Sequence, residues 1–304
     1  MKPLSFVIIT YNRPQDALEL LQNIAGLDEM DALLEEVILV NNASTADYSP
    51  VLTYIEQAPG LPVRYVSSAE NLGVAKGRNL AIRQSTAPIL IMLDDDAVLQ
   101  NKDCLRQLMA EFETKNTSRP KAIVSFKVLY YETLQMQENA LPHKKFEAYR
   151  DKRFFETYFY AGGAHAIRRS VLDEVGHYPE DFFYGMEEYD LSYRVLDKGY
   201  SIVYSDKIVM LHKESPLGRK PKAEKLQMMW VNKTKVAWRY LPLSYFRTTA
   251  LMWSLQYLRE SGFRLDLFRA GWKAIARIRK TEPRKPVSRQ TLAYLRSLDA
   301  RLWY

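Results

Sequence analysis

The sequence predicts an α/β fold, a mostly parallel sheet flanked by helices, with a basic α-helical extension at its C-terminal end. Short runs rich in Ile, Val and Leu alternate with helical stretches through the first half of the chain, which is the pattern of βαβ units. Polar residues directly follow three of these runs, and the charge of the chain changes sign after His212. We therefore expect one α/β domain, residues 1–215, with a ligand site at its strand ends, and a basic helical region, residues 216–304.

The first predicted elements are buried strands with helices between them. The strands are predicted over Leu4–Thr10, Val37–Asn41, Val63–Ser67 and Ile89–Leu93. The helices are predicted over Pro14–Ala25, where the proline fits the first turn, and over Val74–Gln84. Further strands are predicted over Ala122–Tyr130, Phe159–Ile167 and Ser201–Tyr204. Ligands of such sheets bind at the carboxyl ends of the strands.

The composition is that of an ordinary folded protein of 304 residues, with 47% hydrophobic and 26% charged residues. The single cysteine, Cys104, excludes an internal disulfide framework and fits a reducing compartment. No stretch approaches the roughly 18 to 20 apolar residues that a membrane span needs, and the N-terminus lacks a secretory pattern. The expected location is therefore the cytoplasm.

Asp94, Asp95 and Asp96 directly follow the predicted strand Ile89–Leu93. Three carboxylates at the end of a buried strand repel one another unless a cation or hydrogen bonds compensate them. Residues two apart in an extended segment face the same way, so we expect Asp94 and Asp96 to converge and Asp95 to point elsewhere. Their oxygen atoms suit Mg²⁺ or Mn²⁺, which bridge phosphate oxygens. The alternative is a solvated acidic turn.

Glu187 and Glu188 follow an aromatic and glycine loop, residues 182–186, at the predicted start of a helix. The helix dipole favours ionised carboxylates at this position. An ionised carboxylate can act as a general base toward a hydroxyl group. The alternative is plain helix capping, and Asp190 and Arg194 are spaced for an ion pair within the helix.

Two weaker signals complete the set of candidate site residues. His212 follows an apolar run, where a lone histidine is more often structural than functional, so it becomes a ligand only if the fold returns it to the aspartates. Residues 71–79 combine glycines, which let the backbone approach a ligand, with cations suited to phosphate. The residues concerned are Asn71, Gly73, Lys76, Gly77 and Arg78.

Taken in order, these motifs resemble the inverting glycosyltransferase family 2, especially its bacterial polysaccharide-building, rhamnosyltransferase-like branch. The resemblance covers roughly residues 3–215 and rests on Val7–Arg13, Asn42–Ser44, Asn71–Asn79, the aspartate triplet, Ala161–Gly163 and the block from Glu187 to Arg194. It implies a GT-A fold, which is a Rossmann-like sheet flanked by helices. It also implies metal-dependent transfer of a sugar from a nucleotide-diphosphate sugar to a hydroxyl of a glycan or lipid-linked acceptor.

The resemblance further implies a role for each site residue. Glu188 would be the catalytic base, with Glu187 beside it, and Mn²⁺ or Mg²⁺ would be held by Asp94, Asp96 and His212. The nucleotide sugar would contact Thr10, Tyr11, Asn12, Asn42, Asn71, Gly73, Arg78, Asp94, Asp95, Gly162 and Gly163. Many members have an aspartate at the position of Asn41 or Asn42, and the asparagines here leave the identity of the nucleotide open.

The C-terminal region carries most of the positive charge. From Lys213 to the end, 21 Lys and Arg stand against 6 Asp and Glu, so we expect this region to face an anionic surface. Residues 264–280 carry an apolar and a basic stripe at helical spacing, which is typical of a helix lying on the inner leaflet of a membrane. Equally open is a helix that packs its apolar stripe against the catalytic domain. Nucleic acid is not expected as a partner.

Two other functions remain open from the sequence. A nucleotidyltransferase acting on sugar phosphates would need a glycine-rich basic signature after the first strand, which Thr10–Arg13 does not supply. A non-catalytic protein that binds sugar or nucleic acid would not explain why both Asp96 and Glu188 are present. A dehydrogenase is disfavoured because no G-x-G-x-x-G follows a strand.

Overall fold

The computed structural model describes residues 1–58 and 60–303. Nine strands lie within these residues: β1 Leu4–Thr10, β2 Leu34–Asn41, β3 Val63–Ser67, β4 Ile89–Asp94, β5 Ala97–Leu99, β6 Lys121–Tyr130, β7 Phe154–Thr157, β8 Ala164–Arg168 and β9 Ser201–His212. The helices are α1 Pro14–Ala25, α2 Met30–Leu33, α3 Ser49–Gln57, α4 Gly73–Gln84, α5 Cys104–Glu113, α6 Phe146–Tyr149, α7 Arg169–Val175, α8 Glu187–Asp197, α9 Lys222–Tyr240, α10 Leu243–Glu260, α11 Leu265–Thr281 and α12 Arg289–Ser297.

The strands form a single mixed sheet, in the order β3-β2-β1-β4-β8-β6-β9-β5, with β7 paired to β9. The first four strands in this order are parallel, which confirms the predicted βαβ organisation. Strand β8 runs antiparallel to both β4 and β6, while β9 runs parallel to β6. Because β1, β2 and β4 are parallel, their carboxyl ends lie at one edge of the sheet.

Helices cover both faces of the sheet, as the alternation of buried side chains along β1 requires. Phe6 and Ile8 point to one face, where they pack with apolar residues of α1, α3 and α5. Val7 points to the other face and packs with residues of α4 and α8. All three side chains are almost fully buried. The α/β prediction with helices on both sides of the sheet is therefore confirmed. The expected mostly parallel sheet is mixed, because four of its pairings are parallel and four are antiparallel.

Two predicted strands differ from the observed ones. The prediction of one strand over Phe159–Ile167 is wrong, because β7 ends at Thr157 and β8 begins at Ala164. The segment between them turns through Gly162 and Gly163, close to Asp94. The strand predicted over Ser201–Tyr204 extends instead to His212, since its second half pairs with β6 on one side and with β5 on the other.

The C-terminal helices pack on α8 and on one another. Trp230 of α9 is fully buried and stacks on Phe268 of α11, with ring centroids 5.6 Å apart. A Cβ atom on Gly271 would lie only 2.4 Å from the Trp230 ring, so glycine lets α11 approach α9 closely. Deleting such a buried indole costs about 3–5 kcal/mol. The division into residues 1–215 and 216–304 stays a prediction, and the two parts pack tightly.

Most of the apolar stripe predicted in residues 264–280 is covered, although Leu265 is exposed. Phe268, Trp272 and Ile275 pack in the cluster around Trp230 of α9, so the stripe packs on the neighbouring C-terminal helices, and not on the domain of residues 1–215 as the packed alternative expected. No helix within residues 1–58 and 60–303 is both long enough and apolar enough to cross a bilayer.

Candidate active site

The aspartate triplet lies where β4 turns into β5. Asp94 is the last residue of β4, and β5 begins at Ala97. Strand β5 pairs with β9 in a register that sets Ala97 opposite His212. Ligand atoms of Asp94, Asp96 and His212 therefore lie within 4.8 Å of one another. The pairing of β5 with β9 thus returns the histidine to the aspartates.

The environment of Asp96 fits a cation. Its Oδ1 atom is buried without a hydrogen-bond partner, and the Nε2 atom of His212 lies 3.3 Å away. The Nδ1 atom of His212 is 3.0 Å from Oε1 of Gln137. An amide oxygen only accepts, so Nδ1 donates, and in a neutral imidazole Nε2 then carries a lone pair. A carboxylate oxygen and a nitrogen lone pair facing each other suit a metal ion, with Gln137 orienting the ligand.

Charges around Asp96 keep it ionised. Burial opposes ionisation, but His212 in its protonated, metal-free form and the charge of Arg13 together outweigh burial and lower the pKa of Asp96. Burial likewise opposes the charged form of His212, and Asp96 overcomes this and raises the pKa of the histidine. The backbone N–H of Ser215 donates to Oδ2 of Asp96 over 2.9 Å. An ionised carboxylate is what a divalent cation requires.

Asp95 points away from this cluster, as expected for the middle residue of an extended triplet. Its Oδ1 atom accepts a hydrogen bond of 2.8 Å from Arg13. Burial raises the pKa of Asp95 to about 7, although Arg13 opposes the shift. Arg13 also lies 3.2 Å from Oδ2 of Asp96. Arg13 was part of the motif after β1, but its pairing with the triplet could not be read from the sequence.

A cavity of about 490 Å³ opens above the triplet, at the carboxyl ends of β1, β2 and β4. Nine of the residues that the sequence singled out line it: Thr10, Tyr11, Asn42, Asn71, Gly73, Asp94, Asp95, Asp96 and His212. The lining also includes Arg13, Phe183 and Tyr184 from the motifs of the sequence analysis, and three cations that were not anticipated there: Arg219, Lys220 and Lys225. The cavity thus joins the acidic triplet to four cations, three of which come from the segment after β9.

The segment after β9 reaches back over the first strand. At Gly218, where φ is +67°, a Cβ atom would lie 2.3 Å from the backbone oxygen of Tyr11. Arg219, the next residue, lies 3.7 Å from Oδ2 of Asp96. Some of the positive charge that the sequence analysis assigned to an external anionic surface therefore faces the cavity. The only signal for this in the sequence was the onset of the basic region.

Asn42 and Asn71 hold the loop before α4 in place. The Nδ2 atom of Asn42 donates to Oδ1 of Asn71 and to the backbone oxygen of Gly73, each over 3.2 Å. Gly73 has φ of +71°, and a Cβ atom there would lie 2.5 Å from the backbone oxygen of Phe183. Glycine at this position lets the backbones of residues 73 and 183 approach closely, and it also lines the cavity.

Asn12 is not among the residues that line the cavity. It has φ of +56°, a conformation that asparagine tolerates better than most residues. Its Oδ1 atom accepts from the backbone N–H of Thr45 at 2.8 Å and of Ala46 at 3.1 Å. The side chain therefore fixes the loop after β2, next to the predicted nucleotide-binding residues.

Arg78 joins the aspartates to the two glutamates. It is buried, and it donates to Oδ1 of Asp94 over 3.0 Å and to Oε1 of Glu187 over 3.1 Å. Neither Arg78 nor the two glutamates line the cavity. A Cβ atom on Gly162 would lie 3.4 Å from Nη1 of Arg78, and one on Gly163 would lie 2.1 Å from Oδ2 of Asp94. Both glycines thus leave room for charged groups.

The two glutamates begin α8, as predicted, but their ionisation differs from the expectation. Burial raises the pKa of Glu187 despite the charge of Arg78, and burial together with the charge of Glu187 raises the pKa of Glu188. Desolvation outweighs the helix dipole here, because the dipole of a helix end contributes only about 0.3–2 kcal/mol. No side chain in the described parts of the chain donates a hydrogen bond to the Glu188 carboxylate.

The start of α8 is held by α9, which the sequence analysis did not anticipate. The Nδ2 atom of Asn232 donates to the backbone oxygens of Tyr184 at 3.1 Å and Gly185 at 3.0 Å. Arg239 donates to Oδ2 of Asp190 in α8 over 2.8 Å, and both residues are buried. Asp190 also pairs with Arg194, as its spacing predicts.

Comparison with known proteins gives a family match. Residues 5–176 match the model of the family described as Glycosyl transferase family 2. A segment of 179 residues is 27% identical to the uncharacterized glycosyltransferase YwdF of Bacillus subtilis, covering 59% of this chain and 62% of that protein. Over 224 residues the chain is 22% identical to the low-salt glycan biosynthesis hexosyltransferase Agl10 of Haloferax volcanii, covering 69% of this chain and 67% of that protein.

The fold is also similar to that of solved glycosyltransferases. The mannosyltransferase PcManGT from Pyrobaculum calidifontis, solved in complex with GDP-Man and Mn²⁺, superposes with a TM-score of 0.60 at 21% identity. The superposition covers all of this chain and 81% of the mannosyltransferase. The similarity extends over the C-terminal helices as well as the sheet, and it confirms the GT-A fold.

Proposed function

Since this chain belongs to glycosyl transferase family 2, we propose that it transfers a sugar from a nucleoside-diphosphate sugar to a hydroxyl of a glycan or lipid-linked acceptor, inverting the anomeric carbon. The observation that carries the proposal is the meeting of Asp94, Asp96 and His212 at the wall of the cavity. The transferred sugar is a hexose or deoxyhexose, and the product is a cell-surface polysaccharide.

Asp94, Asp96 and His212 would hold Mn²⁺ or Mg²⁺. When bound, the cation stabilises the negative charge of the departing nucleoside diphosphate. A set with one imidazole favours Mn²⁺, because Mg²⁺ strongly prefers oxygen ligands. The Mn²⁺ in the complex of the similar mannosyltransferase supports this assignment.

The cavity residues would bind the donor. Thr10, Tyr11, Asn42 and Asn71 line the cavity and would contact the base and ribose. The cations of the cavity, Arg13, Arg219, Lys220 and Lys225, would offset the charge of the diphosphate. Arg78, bound to Asp94, would keep that carboxylate oriented toward the donor.

Glu188 would act as the general base. Its carboxylate receives no hydrogen bond from a described side chain, so it is available to accept the proton of an acceptor hydroxyl. Glu187, bound to Arg78, would position the helix start rather than take the proton. The hydroxyl oxygen then attacks the anomeric carbon as the bond to the diphosphate breaks, and no covalent enzyme intermediate forms.

We infer that α10 contacts the membrane surface at which the acceptor is bound. Arg247, Leu251, Leu255 and Arg259 recur every four residues along this helix, and all four are exposed. Leu251 and Leu255 are each 53% exposed. A row of leucines bounded by arginines suits the boundary between anionic head groups and acyl chains. We place the peripheral membrane contact here, because the stripe of α11 is covered.

Donor binding and turnover test the proposed reaction. The full chain is incubated with UDP-, GDP- and dTDP-sugars, with and without Mn²⁺, and its unfolding temperature and release of nucleoside diphosphate are measured. A donor at about 100 times its Kd should add about 2.7 kcal/mol to the free energy of unfolding. The surface variant Lys198→Met is the control. Absence of both a shift and turnover with every donor would contradict the reaction.

Vesicle co-sedimentation tests the membrane contact separately. We expect binding to phosphatidylglycerol vesicles and little binding to phosphatidylcholine vesicles. The double variant Leu251→Ser/Leu255→Ser should weaken binding at least about tenfold, because each buried leucine contributes about 1.5–3 kcal/mol. Leu52→Ser, at an exposed leucine of α3, is the matched control. Equal vesicle binding by the wild type and both variants would contradict a membrane contact through α10.

A further inference from the structure

The turn before β8, residues 161–163, lies near a proposed metal ligand and near the proposed base. A Cβ atom on Gly163 would lie 2.1 Å from Oδ2 of Asp94, and the backbone N–H of Asp94 donates to the backbone oxygen of Gly163 over 3.2 Å. A Cβ atom on Gly162 would lie 4.0 Å from Oε2 of Glu188. The position of this turn therefore sets the space between the two carboxylates.

Two buried side chains of the sheet hold Ala161, the first residue of the turn. Ser125 of β6 and His165 of β8 lie opposite each other in the antiparallel pairing of these strands, and neither is exposed. The backbone N–H of Ala161 donates to Oγ of Ser125 over 3.1 Å. The Nδ1 atom of His165 lies 3.0 Å from the backbone oxygen of Ala161. Both backbone groups of this residue are thus bonded to side chains.

The second ring nitrogen fixes the orientation of His165. Its Nε2 atom lies 2.9 Å from the hydroxyl of Tyr178. A carbonyl oxygen only accepts, so Nδ1 donates to Ala161. Burial, together with the charge of Arg78, holds the pKa of His165 well below its usual range. The imidazole is therefore neutral, and Nε2 accepts from the Tyr178 hydroxyl.

Tyr178 is in turn held by α4. The Nδ2 atom of Asn79 donates to the backbone oxygen of Tyr178 over 2.9 Å, and Oδ1 of Asn79 accepts from the backbone N–H of Tyr178 over 3.1 Å. Both residues are buried. Asn79 follows Arg78, which donates to Asp94. One helix therefore reaches the metal ligand directly and reaches the turn beside it through Tyr178 and His165.

We propose that His165 is a positioning residue for sugar transfer, which acts by holding the turn of residues 161–163 between Asp94 and Glu188. The inference rests on the proposed function, because it takes Asp94 as a metal ligand and Glu188 as the base. His165 does not line the cavity, so its effect reaches the reactants through the backbone of the turn. A misplacement of about 1 Å can lower a rate about 100-fold, whereas the metal ligands and the cavity cations would still bind the nucleoside diphosphate.

Two variants of His165 separate the two hydrogen bonds of the ring. The amide nitrogen of asparagine can take the place of Nδ1, and the longer glutamine can reach the place of Nε2. His165→Gln therefore loses the bond to Ala161, and its kcat should fall at least about tenfold. His165→Asn keeps that bond and should lose only a few-fold. Tyr178→Phe should match His165→Asn and should add nothing when combined with it.

Kinetics and nucleotide binding are measured on the full chain. The reaction is hydrolysis of the UDP-, GDP- and dTDP-sugars of the donor screen with Mn²⁺, in which water replaces the acceptor hydroxyl and gives its proton to Glu188. Calorimetric titration with UDP, GDP and dTDP gives the affinity for the nucleoside diphosphate. In His165→Gln we expect kcat to fall and this affinity to stay unchanged. His143→Gln, at a buried histidine stacked on Tyr149 outside the cavity, is the matched control and should change neither.

Hydrogen exchange reports on the turn independently of turnover. The backbone N–H groups of Ala161 and Ala164 are bonded within this segment or to the sheet. Mass spectrometry of the peptide that covers them should show exchange about tenfold faster in His165→Gln than in His165→Asn, in line with the loss of one hydrogen bond. Equal exchange in the two variants would mean that His165 does not hold the turn, and it would overturn the proposal.

The kinetic results separate this inference from the proposed function. A wild-type protein that neither binds nor hydrolyses any nucleotide sugar contradicts the proposed function, whereas the exchange experiment still tests the hold on the turn. Wild-type hydrolysis that His165→Gln leaves unchanged overturns the positioning role alone. The same follows if His165→Asn is as slow as His165→Gln, or if His165→Gln no longer binds nucleoside diphosphate, because His165 would then support the fold as a whole.

Discussion

The site has two sides that use the same chemical group in opposite electrostatic settings. On the donor side, Asp96 lies among cationic groups, and its pKa is lowered because His212 and Arg13 outweigh burial. On the acceptor side, Glu188 is partly buried next to another glutamate, and desolvation and that neighbouring charge both raise its pKa. In the proposed reaction this difference would separate two tasks on one scaffold: the carboxylate of Asp96 would stay ionised to hold a cation, and the carboxylate of Glu188 would have the basicity needed to take a proton.

The largest expected effect is on the acceptor side. Glu188→Gln removes the group proposed to accept the hydroxyl proton and keeps the shape of the side chain. Transfer should fall about 10²–10⁴-fold, with the affinity for donor and Mn²⁺ unchanged. Initial rates of nucleoside diphosphate release with acceptor, together with calorimetric titration of the donor, measure the two quantities. If the transfer rate of the variant stays within a few-fold of the wild-type rate, Glu188 is not the base.

Asp96→Asn should affect the donor side instead. The variant loses an ionised ligand, so Mn²⁺-dependent donor binding and transfer should each fall by about 100-fold or more. The unfolding temperature of the ligand-free protein should change little, because the amide can still accept from Ser215. Titration with Mn²⁺ checks the affinity, with Glu188→Gln as the matched variant that retains it. Equal Mn²⁺ affinity in both variants would contradict the division between the two sides.

Asn232→Ala tests how the acceptor side is supported. The change removes both hydrogen bonds to the backbone before α8 and should lower the free energy of unfolding by about 1–3 kcal/mol. We expect the rate of transfer to fall about tenfold, as for a slightly misplaced base, while donor affinity stays constant. Denaturant unfolding and steady-state kinetics measure these effects. A selective loss of donor affinity would show that α9 supports the donor side instead.

The smallest effect we predict is a shift in pH dependence. A carboxyl group with a raised pKa needs a higher pH to ionise, so transfer should decline as the pH falls through the pKa of Glu188. Glu187→Gln removes a neighbouring negative charge, which lowers that pKa and should move the acid limb to lower pH. The measurement is kcat against pH in the wild type and the variant. A shift to higher pH would contradict the coupling of the two glutamates.

The donor side could be predicted largely from the sequence, because its residues follow the ends of strands that local pattern reveals. Asp94 ends β4 and Thr10 ends β1, and parallel pairing brings such ends together. His212 was harder to place. It meets Asp96 only through the pairing of β5 with β9, and a strand as short as Ala97–Leu99 leaves no periodic signal.

The acceptor side depended on contacts between distant parts of the chain, which no local pattern reveals. Arg78 was predicted to face a phosphate, yet it is buried between Asp94 and Glu187. Asn232 lies in a helix whose charge suggested an outer surface. Composition indicated the positive charge of this region correctly, but it could not distinguish side chains that face the site from those that face solvent.

The attachment of α8 to α9 also bears on when the protein becomes active during its synthesis. Chains emerge from the ribosome N-terminus first, and domains fold as they emerge. The strands of the donor side can pair early, but Asp190 meets Arg239 only after α9 has left the exit tunnel. A nascent chain would therefore lack both the anchoring of its base and the cavity cation Lys225 until α9 has docked, and transfer would begin only then.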